Sequence, residues 1–128
     1  MKSIQDHLKF HSEALGLRSQ RNEVLASNIA NAATPNFKAK DLKFDDMLNA
    51  KLGLSELQTS DPRHFALSVG PNDEGIGFRK NITPSQDGNT VELHVEQMQF
   101  SENVMRYQTS LEFLNRKIAG LRSAIKGE

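Results

Sequence analysis

Leu93, Gln97, Phe100, Val104, Tyr107, Leu111, Leu114, Ile118, Leu121 and Ile125 follow one another in alternating steps of four and three. Only Gln97 is polar. An a/d pattern held over more than four heptads puts these residues on a single stripe of one long helix. At 1.5 Å per residue, a helix of about 36 residues is ~54 Å long. A compact chain of 128 residues has a radius of gyration of only ~14 Å. Such a helix cannot curl into a ball. It has to lie beside another long helix, and the seam between them is narrow.

The sequence also marks the ends of this helix. Asn89 is a good N-cap residue, with Glu92 placed to complete a capping box. The preceding Asp87-Gly88 supplies a turn. Arg116, Lys117, Arg122 and Lys126 bring positive charge to the last turns, which suits the helix dipole. Gly127 can take the left-handed end position.

The partner stands at the other terminus. Ile4, Leu8, Leu15, Leu25 and Ile29 recur at helical spacing, with Phe10, Ala14, Leu17 and Val24 on an adjoining row. His11, Arg18 and Asn22 interrupt the first row. The pattern predicts one helix from Ser3 to Ala33, about 30 residues and ~45 Å long. Pro35 ends it, because proline disfavours the α region at Thr34 and has no N–H to give.

The middle differs in texture. Phe44, Met47, Leu48 and Leu52 predict a short helix that breaks at Gly53. Phe65 to Val69 alternates as a strand does. Residues 70–75 are turn-rich, and Ile76-Gly77-Phe78 is a candidate returning strand, so a small hairpin is expected. The predicted fold is therefore mainly α: long N- and C-terminal helices form a coiled-coil-like pair, with a small central segment of short helix and β-hairpin. It is one structural unit in three zones, 1–40, 41–88 and 89–128.

Composition narrows the function classes. Lys and Arg (16) balance Asp and Glu (16), so there is no basic field of the kind that holds nucleic acid. Cysteine is absent, which removes disulfides, thiolate metal sites and cysteine nucleophiles together. Met1 to Phe10 is polar and carries no secretion-signal pattern. No apolar run reaches the ~20 residues of a membrane span. Direct membrane insertion is not expected.

Local chemistry is equally sparse. His7 and His11 lie one helical turn apart, a spacing that can bind zinc, but His64 and His94 sit in other zones. They read as solvated residues. Gly75 to Lys80 has only part of a phosphate loop and reads as a hairpin turn. Asp45, Asp46 and Asp61 lack calcium-loop spacing. Asn81-Ile82-Thr83 matches a short sequon of a kind common by chance. Arg18, Arg21, Arg106 and Arg116 read as solvated or salt-bridging positions. No Ser/His/Asp set has a recognisable signature. No catalytic residue, cofactor or metal is expected.

Periodicity leaves two readings open. In one, the long apolar stripe is completed by other chains and order arrives with assembly. In the other, the chain is a monomeric helical hairpin covered by its own middle zone, acting as an adaptor or chaperone.

Leu25 to Lys38 reads Leu-Ala-Ser-Asn-Ile-Ala-Asn-Ala-Ala-Thr-Pro-Asn-Phe-Lys. This resembles the N-terminal motif of the rod, hook and hook-associated proteins of the bacterial flagellum. Ala14 to Arg21, Asp87 to Val91, Tyr107 to Leu111 and Leu121 to Ile125 extend the similarity over nearly the whole chain, toward the short proximal-rod members. Asn36-Phe37 stands where the family often has Gly-Tyr. Asparagine tolerates the left-handed conformation that glycine would supply. The alanines keep the helix slim, and Asn28 and Asn31 carry amides that can fix register when buried.

The resemblance implies a structural subunit of the flagellar rod that transmits torque and lines the export channel. It implies export through the flagellar type III apparatus without a cleaved signal, and assembly in the periplasm. Its partners would be copies of itself, the rod proteins FlgC, FlgF and FlgG, and the adaptor FliE. The expected assembly residues are Leu25, Asn28, Ile29, Asn31, Thr34, Pro35 and Phe37 in the N-terminal seam. In the C-terminal seam they are Val104, Tyr107, Leu111, Leu114, Ile118, Leu121 and Ile125.

Overall fold

A computed structural model describes residues 4–52, 75–80 and 83–127. Two long helices dominate it. Helix α1 spans Ile4–Ala30 (27 residues). After it come strand β1 (Lys40–Leu42), helix α2 (Phe44–Lys51), strand β2 (Ile76–Phe78) and helix α3 (Leu93–Lys126, 34 residues). The expected pairing of terminal helices is present: α1 and α3 pack along each other. They are antiparallel, because Asn28 meets Glu96 while Arg18 and Asn22 meet Asn103.

The face that α3 turns to α1 is not the one its heptad predicts. The buried residues of the helix are Glu96 and Asn103. Each lies one position before an a-type residue, Gln97 or Val104. The d row (Phe100, Tyr107, Leu114, Leu121) is half-buried beside them, whereas Gln97, Leu111, Ile118 and Ile125 of the a row are exposed. The helix is rolled away from its apolar stripe by polar attraction. Asn103 donates to the Arg18 carbonyl and to Asn22 Oδ1, both at 2.8 Å. Glu96 receives Asn28 and Arg79. A buried polar group without such partners would cost about 1–3 kcal/mol, so these contacts set the roll and the register. Among the described residues the buried apolar side chains are Ala14, Leu17, Leu25, Ala39 and Leu42.

Extending the antiparallel register brings Ile4 opposite about Gly120. Leu121 to Lys126 therefore run past the first described turn of α1. Gly127 closes α3 in the expected left-handed conformation (φ +76°), with its N–H on the Ser123 carbonyl.

The start of α3 corrects the expectation for Asn89. The helix begins at Leu93, with Glu92 at the cap position and no side-chain capping bond. Glu92 Oε1 accepts the Thr83 N–H instead, and there is no capping box. Asn89 is buried and serves the other helix, as described below.

The central zone carries the expected short helix and a small antiparallel two-stranded sheet. Helix α2 forms where expected, with Asp45 and Asp46 in its first turn and Lys51 in its last. Lys51 pairs with Glu13 at 3.3 Å, and the Arg18 guanidinium lies 4.5 Å from the Phe44 ring centre. Strand β2 is the expected Ile76–Phe78, so Gly75 to Lys80 is not the turn of a hairpin. Its partner is β1, antiparallel, with Lys40 opposite Phe78 and Leu42 opposite Ile76. The anticipated strand at Phe65 to Val69 lies outside the described residues, as does most of the turn-rich segment before Gly75. β2 is held to β1 by the antiparallel ladder and by Arg79 on Asp41, and β1 is in turn anchored on α1 by Asn28 and Arg21.

Candidate assembly surface

The residues of the flagellar-type motif do two different jobs. Leu25 and Asn28 are buried inside the chain. The Asn28 amide holds the free edge of β1 as a neighbouring strand would. Its Nδ2 donates to the Lys40 carbonyl (2.6 Å) and its Oδ1 accepts the Lys40 N–H (3.0 Å). The same Nδ2 reaches Glu96 Oε2 at 3.0 Å. One side chain thus ties α1, β1 and α3, and an exposed strand edge is closed.

Further along, the motif forms a turn. Asn31 donates to the Ser27 carbonyl, and Thr34 Oγ1 donates to Asn31 Oδ1. Asn36 takes a left-handed conformation (φ +61°), as its place in the motif predicts. This turn is clasped by residues 85–91. Asn89 Nδ2 donates to the carbonyls of Asn31 (3.1 Å), Ala32 (2.9 Å) and Thr34 (3.0 Å). Its Oδ1 accepts the Val91 N–H at 2.8 Å, which fixes the orientation of the amide. The Asn36 N–H meets the Asp87 carbonyl, and the Thr90 N–H meets the Phe37 carbonyl. Thr90 Oγ1 accepts from Ala39, and the Lys38 ammonium reaches the Gly88 carbonyl. Ser85 Oγ donates to the Asn89 carbonyl. Gly88 has φ +73°, and a Cβ there would stand 2.6 Å from Asn36 Oδ1. The two turns fit because Gly88 leaves room for the Asn36 side chain at this approach.

Beside the clasp lies a charge cluster that the sequence reading missed. Arg21 binds Asp41 through both carboxylate oxygens (3.0 and 3.1 Å) and also reaches Gln99. Arg79 bridges Asp41 (2.6 Å) and Glu96 (2.7 Å). Burial alone would raise the Asp41 carboxyl, but hydrogen bonds from Arg21 and Arg79 outweigh it and hold the group below its usual range. The bond to Asp41 likewise raises Arg21. Arg18 is lowered, first by burial and then by repulsion from Arg106 and Arg21. Its Nε and Asn103 Oδ1 are buried without a partner among the described residues. Arg21 is therefore part of an internal network, while Arg106 and Arg116 make the expected surface pairs with Glu102 and Glu112. Among the described residues, no group of three His, Asp or Glu side chains is arranged to hold a metal ion.

The remaining expected assembly residues divide by exposure. Thr34 and Pro35 are exposed, and Ile29, Asn31 and Phe37 are half-buried. On α3, Val104, Tyr107, Leu114 and Leu121 are half-buried, whereas Leu111 is 39% exposed, Ile118 40% and Ile125 82%. An apolar row thus runs along the tail of α3, partly exposed at Leu111 and Ile118 and largely exposed at Ile125. A groove of about 290 Å³ opens at the opposite end of the hairpin, lined by Glu23, Val24, Ser27, Phe37, Lys40 and Ile76 around the buried Asn28. Among the described residues, no helix is long and apolar enough to cross a membrane.

The comparison with known proteins decides the family. The family described as "Flagella basal body rod protein" matches residues 8–38, all of α1 after its first turn together with the motif. A flagellar basal body rod protein FlgB from Cereibacter sphaeroides is 54% identical, and the alignment covers all of both chains. The chain belongs to the FlgB family of flagellar basal body rod proteins. FlgB of Aeromonas hydrophila is 46% identical over 92% of this chain and 91% of its own. FlgB of Escherichia coli is 37% identical over 93% and 92%. The FlgB resemblance therefore spans α1, the clasp and α3 together, whereas the rod-family match stops at the end of the motif. These are structural proteins of the basal body.

Proposed function

We propose that the chain is a structural subunit of the proximal rod, assembled through its terminal helices, where it transmits torque and lines the export channel. The observation that carries this reading is the exposed apolar row of the α3 tail, in a chain of the FlgB family. Among the described residues Ile118 is 40% and Ile125 82% exposed, and burying Ile125 against a neighbour would contribute about 1.5–2.5 kcal/mol and Ile118 about half of that. The internal polar network supports a mechanical role. It holds α1, α3 and the small sheet in one register, so a force on one helix reaches the others.

The proposed neighbours are copies of the chain itself, FlgC, FlgF, FlgG and the adaptor FliE. The proposed route is the flagellar type III apparatus, without a cleaved signal, and the proposed site is the periplasmic part of the basal body. Leu25 and Asn28 act in this assembly by shaping the hairpin. Ile29, Asn31, Thr34, Pro35 and Phe37 offer surface at one end, and the α3 tail offers it at the other.

The test is the double variant Ile118→Asp/Ile125→Asp. It is expected to be exported and to fold with wild-type helicity, yet to leave cells non-motile with no rod beyond the base. Normal motility, or absence of the wild-type chain from purified basal bodies, overturns the reading. Recovery of the wild-type protein only from the cytoplasm, bound to export components, would favour the adaptor alternative.

A further inference from the structure

Asp87 and Gly88 form the one pair in the chain where an aspartate or asparagine precedes a glycine. The side chain of a following residue normally shields its own amide nitrogen from the carboxyl before it. Glycine has no Cβ, so that nitrogen is open and the main chain around it turns freely. Asp87 is exposed, and water reaches its carboxyl.

The folded clasp holds the same two residues in a shape that does not suit an attack of one on the other. The Asp87 carbonyl accepts the Asn36 N–H at 3.0 Å, and the Gly88 carbonyl accepts the Lys38 ammonium at 2.6 Å. Both peptide planes are thus fastened to residues 36–38. Asp87 Oδ1 accepts the Asn89 N–H at 3.1 Å, which draws the carboxyl past the Gly88 nitrogen. The Gly88 N–H itself has only a long contact, 3.5 Å, to the Ser85 carbonyl. Protection therefore comes from fixed torsions, not from a strong bond on the nitrogen.

We infer that Asp87–Gly88 is a site of spontaneous isomerisation to isoaspartate, suppressed by the closed clasp and permitted by the open one. The Gly88 nitrogen attacks the side-chain carboxyl carbon of Asp87. An N–C bond forms, the carboxyl C–OH bond breaks, and the amide proton leaves with the hydroxyl as water. The five-membered imide then takes up one water. Opening at the side-chain carbonyl restores aspartate. Opening at the main-chain carbonyl leaves the chain running through the side chain. The composition is unchanged, and no oxidant or other reactant is needed. The product carries one extra carbon in the main chain between residues 87 and 88. That shift moves Asn89 out of step with the carbonyls of Asn31, Ala32 and Thr34, which it binds in the folded chain. A chain that waits with its clasp open is modified at the position it needs for closing.

Full-length wild type, Asn89→Ala and Asp87→Glu are incubated at neutral pH in buffer and in concentrated urea. Peptide mapping with electron-based fragmentation, which separates isoaspartate from aspartate, reads position 87. Wild type is expected to convert about tenfold faster or more in urea than in buffer, the scale of opening the two main-chain bonds. In buffer, Asn89→Ala should convert severalfold faster than wild type while keeping its helicity. Lys38→Met, at an exposed position, gives the same readout if Asn89→Ala does not fold. Asp87→Glu should convert in neither solvent, because its ring would need a sixth member. Isomerised wild type, purified and returned to buffer, should melt below the unmodified chain. Equal rates in buffer and urea overturn the inference, as does the absence of isoaspartate at position 87 in urea. An isomerised chain with the wild-type Tm overturns it too, because the clasp would then tolerate the longer main chain.

Discussion

Replacing Asn89 by aspartate changes no heavy-atom shape and reverses one function. The asparagine Nδ2 stands 2.9–3.1 Å from three main-chain carbonyls. Its orientation is held by the Val91 N–H on Oδ1. In Asn89→Asp a carboxylate oxygen takes the place of the donor and faces those carbonyls. Two net hydrogen bonds are lost, about 0.5–1.5 kcal/mol each. An uncompensated buried charge brings the total to about 3–5 kcal/mol. For a chain of this size the expected stability is about 6–15 kcal/mol, so the variant stays folded but lowers Tm by roughly 10–20 °C. Asn89→Ala loses the same bonds without adding charge and should cost about 2 kcal/mol. Urea unfolding followed by circular dichroism measures both. The carbonyls favour the protonated acid, so the folded pKa of the new group is raised. Its defect shrinks as pH falls through that value and is largest at neutral pH. If Asn89→Asp proves as stable as the wild type at neutral pH, the clasp does not hold the end of α1 as argued.

Three other outcomes follow from the same contacts. Leu17 is fully buried, so Leu17→Ala should cost about 2–4 kcal/mol in denaturant unfolding. Asp41 has a lowered folded pKa, so its contribution is complete above its usual value of 3.8 and fades as pH falls through the folded value. Asp41→Asn should flatten the acid limb of the stability–pH curve in that window and speed amide exchange in β1 and β2 before it does so in α1 and α3. Leu111→Ser, on the exposed row, should change the isolated chain's stability by less than about 1 kcal/mol while lowering motility, read by unfolding and by swarm-plate diameter.

The parts legible in the sequence are those written in short spacings. The two long helices follow from repeats of three and four, the end of α1 from Pro35, and the turn at Asn36 from a residue type that tolerates positive φ. The roll of α3 was not legible. Hydrophobic periodicity ranks Glu96 and Asn103 as outward residues, and only their distant partners, Asn28, Arg79 and the Arg18 carbonyl, make the inward position favourable. Asn89 was misread for a related reason. An asparagine before a helix has the same local signature whether it caps that helix or binds carbonyls more than fifty positions away. Strand β1 has three residues, too few for alternation to show, and Arg21, Asp41 and Arg79 come together only once the sheet lies on α1. The motif itself could be recognised, but spacing alone does not separate its buried members, Leu25 and Asn28, from its exposed ones, Thr34 and Pro35.

The clasp also orders events in time. The turn after the first helix has carbonyls that await an amide 55–58 positions downstream. A chain that enters a compartment with its leading end first arrives with that turn unfastened. It stays loose until the first 89 of the 128 residues have entered. The lock closes only after residues 89–91 have followed the turn, so on the proposed export route the end of the first helix is fastened late.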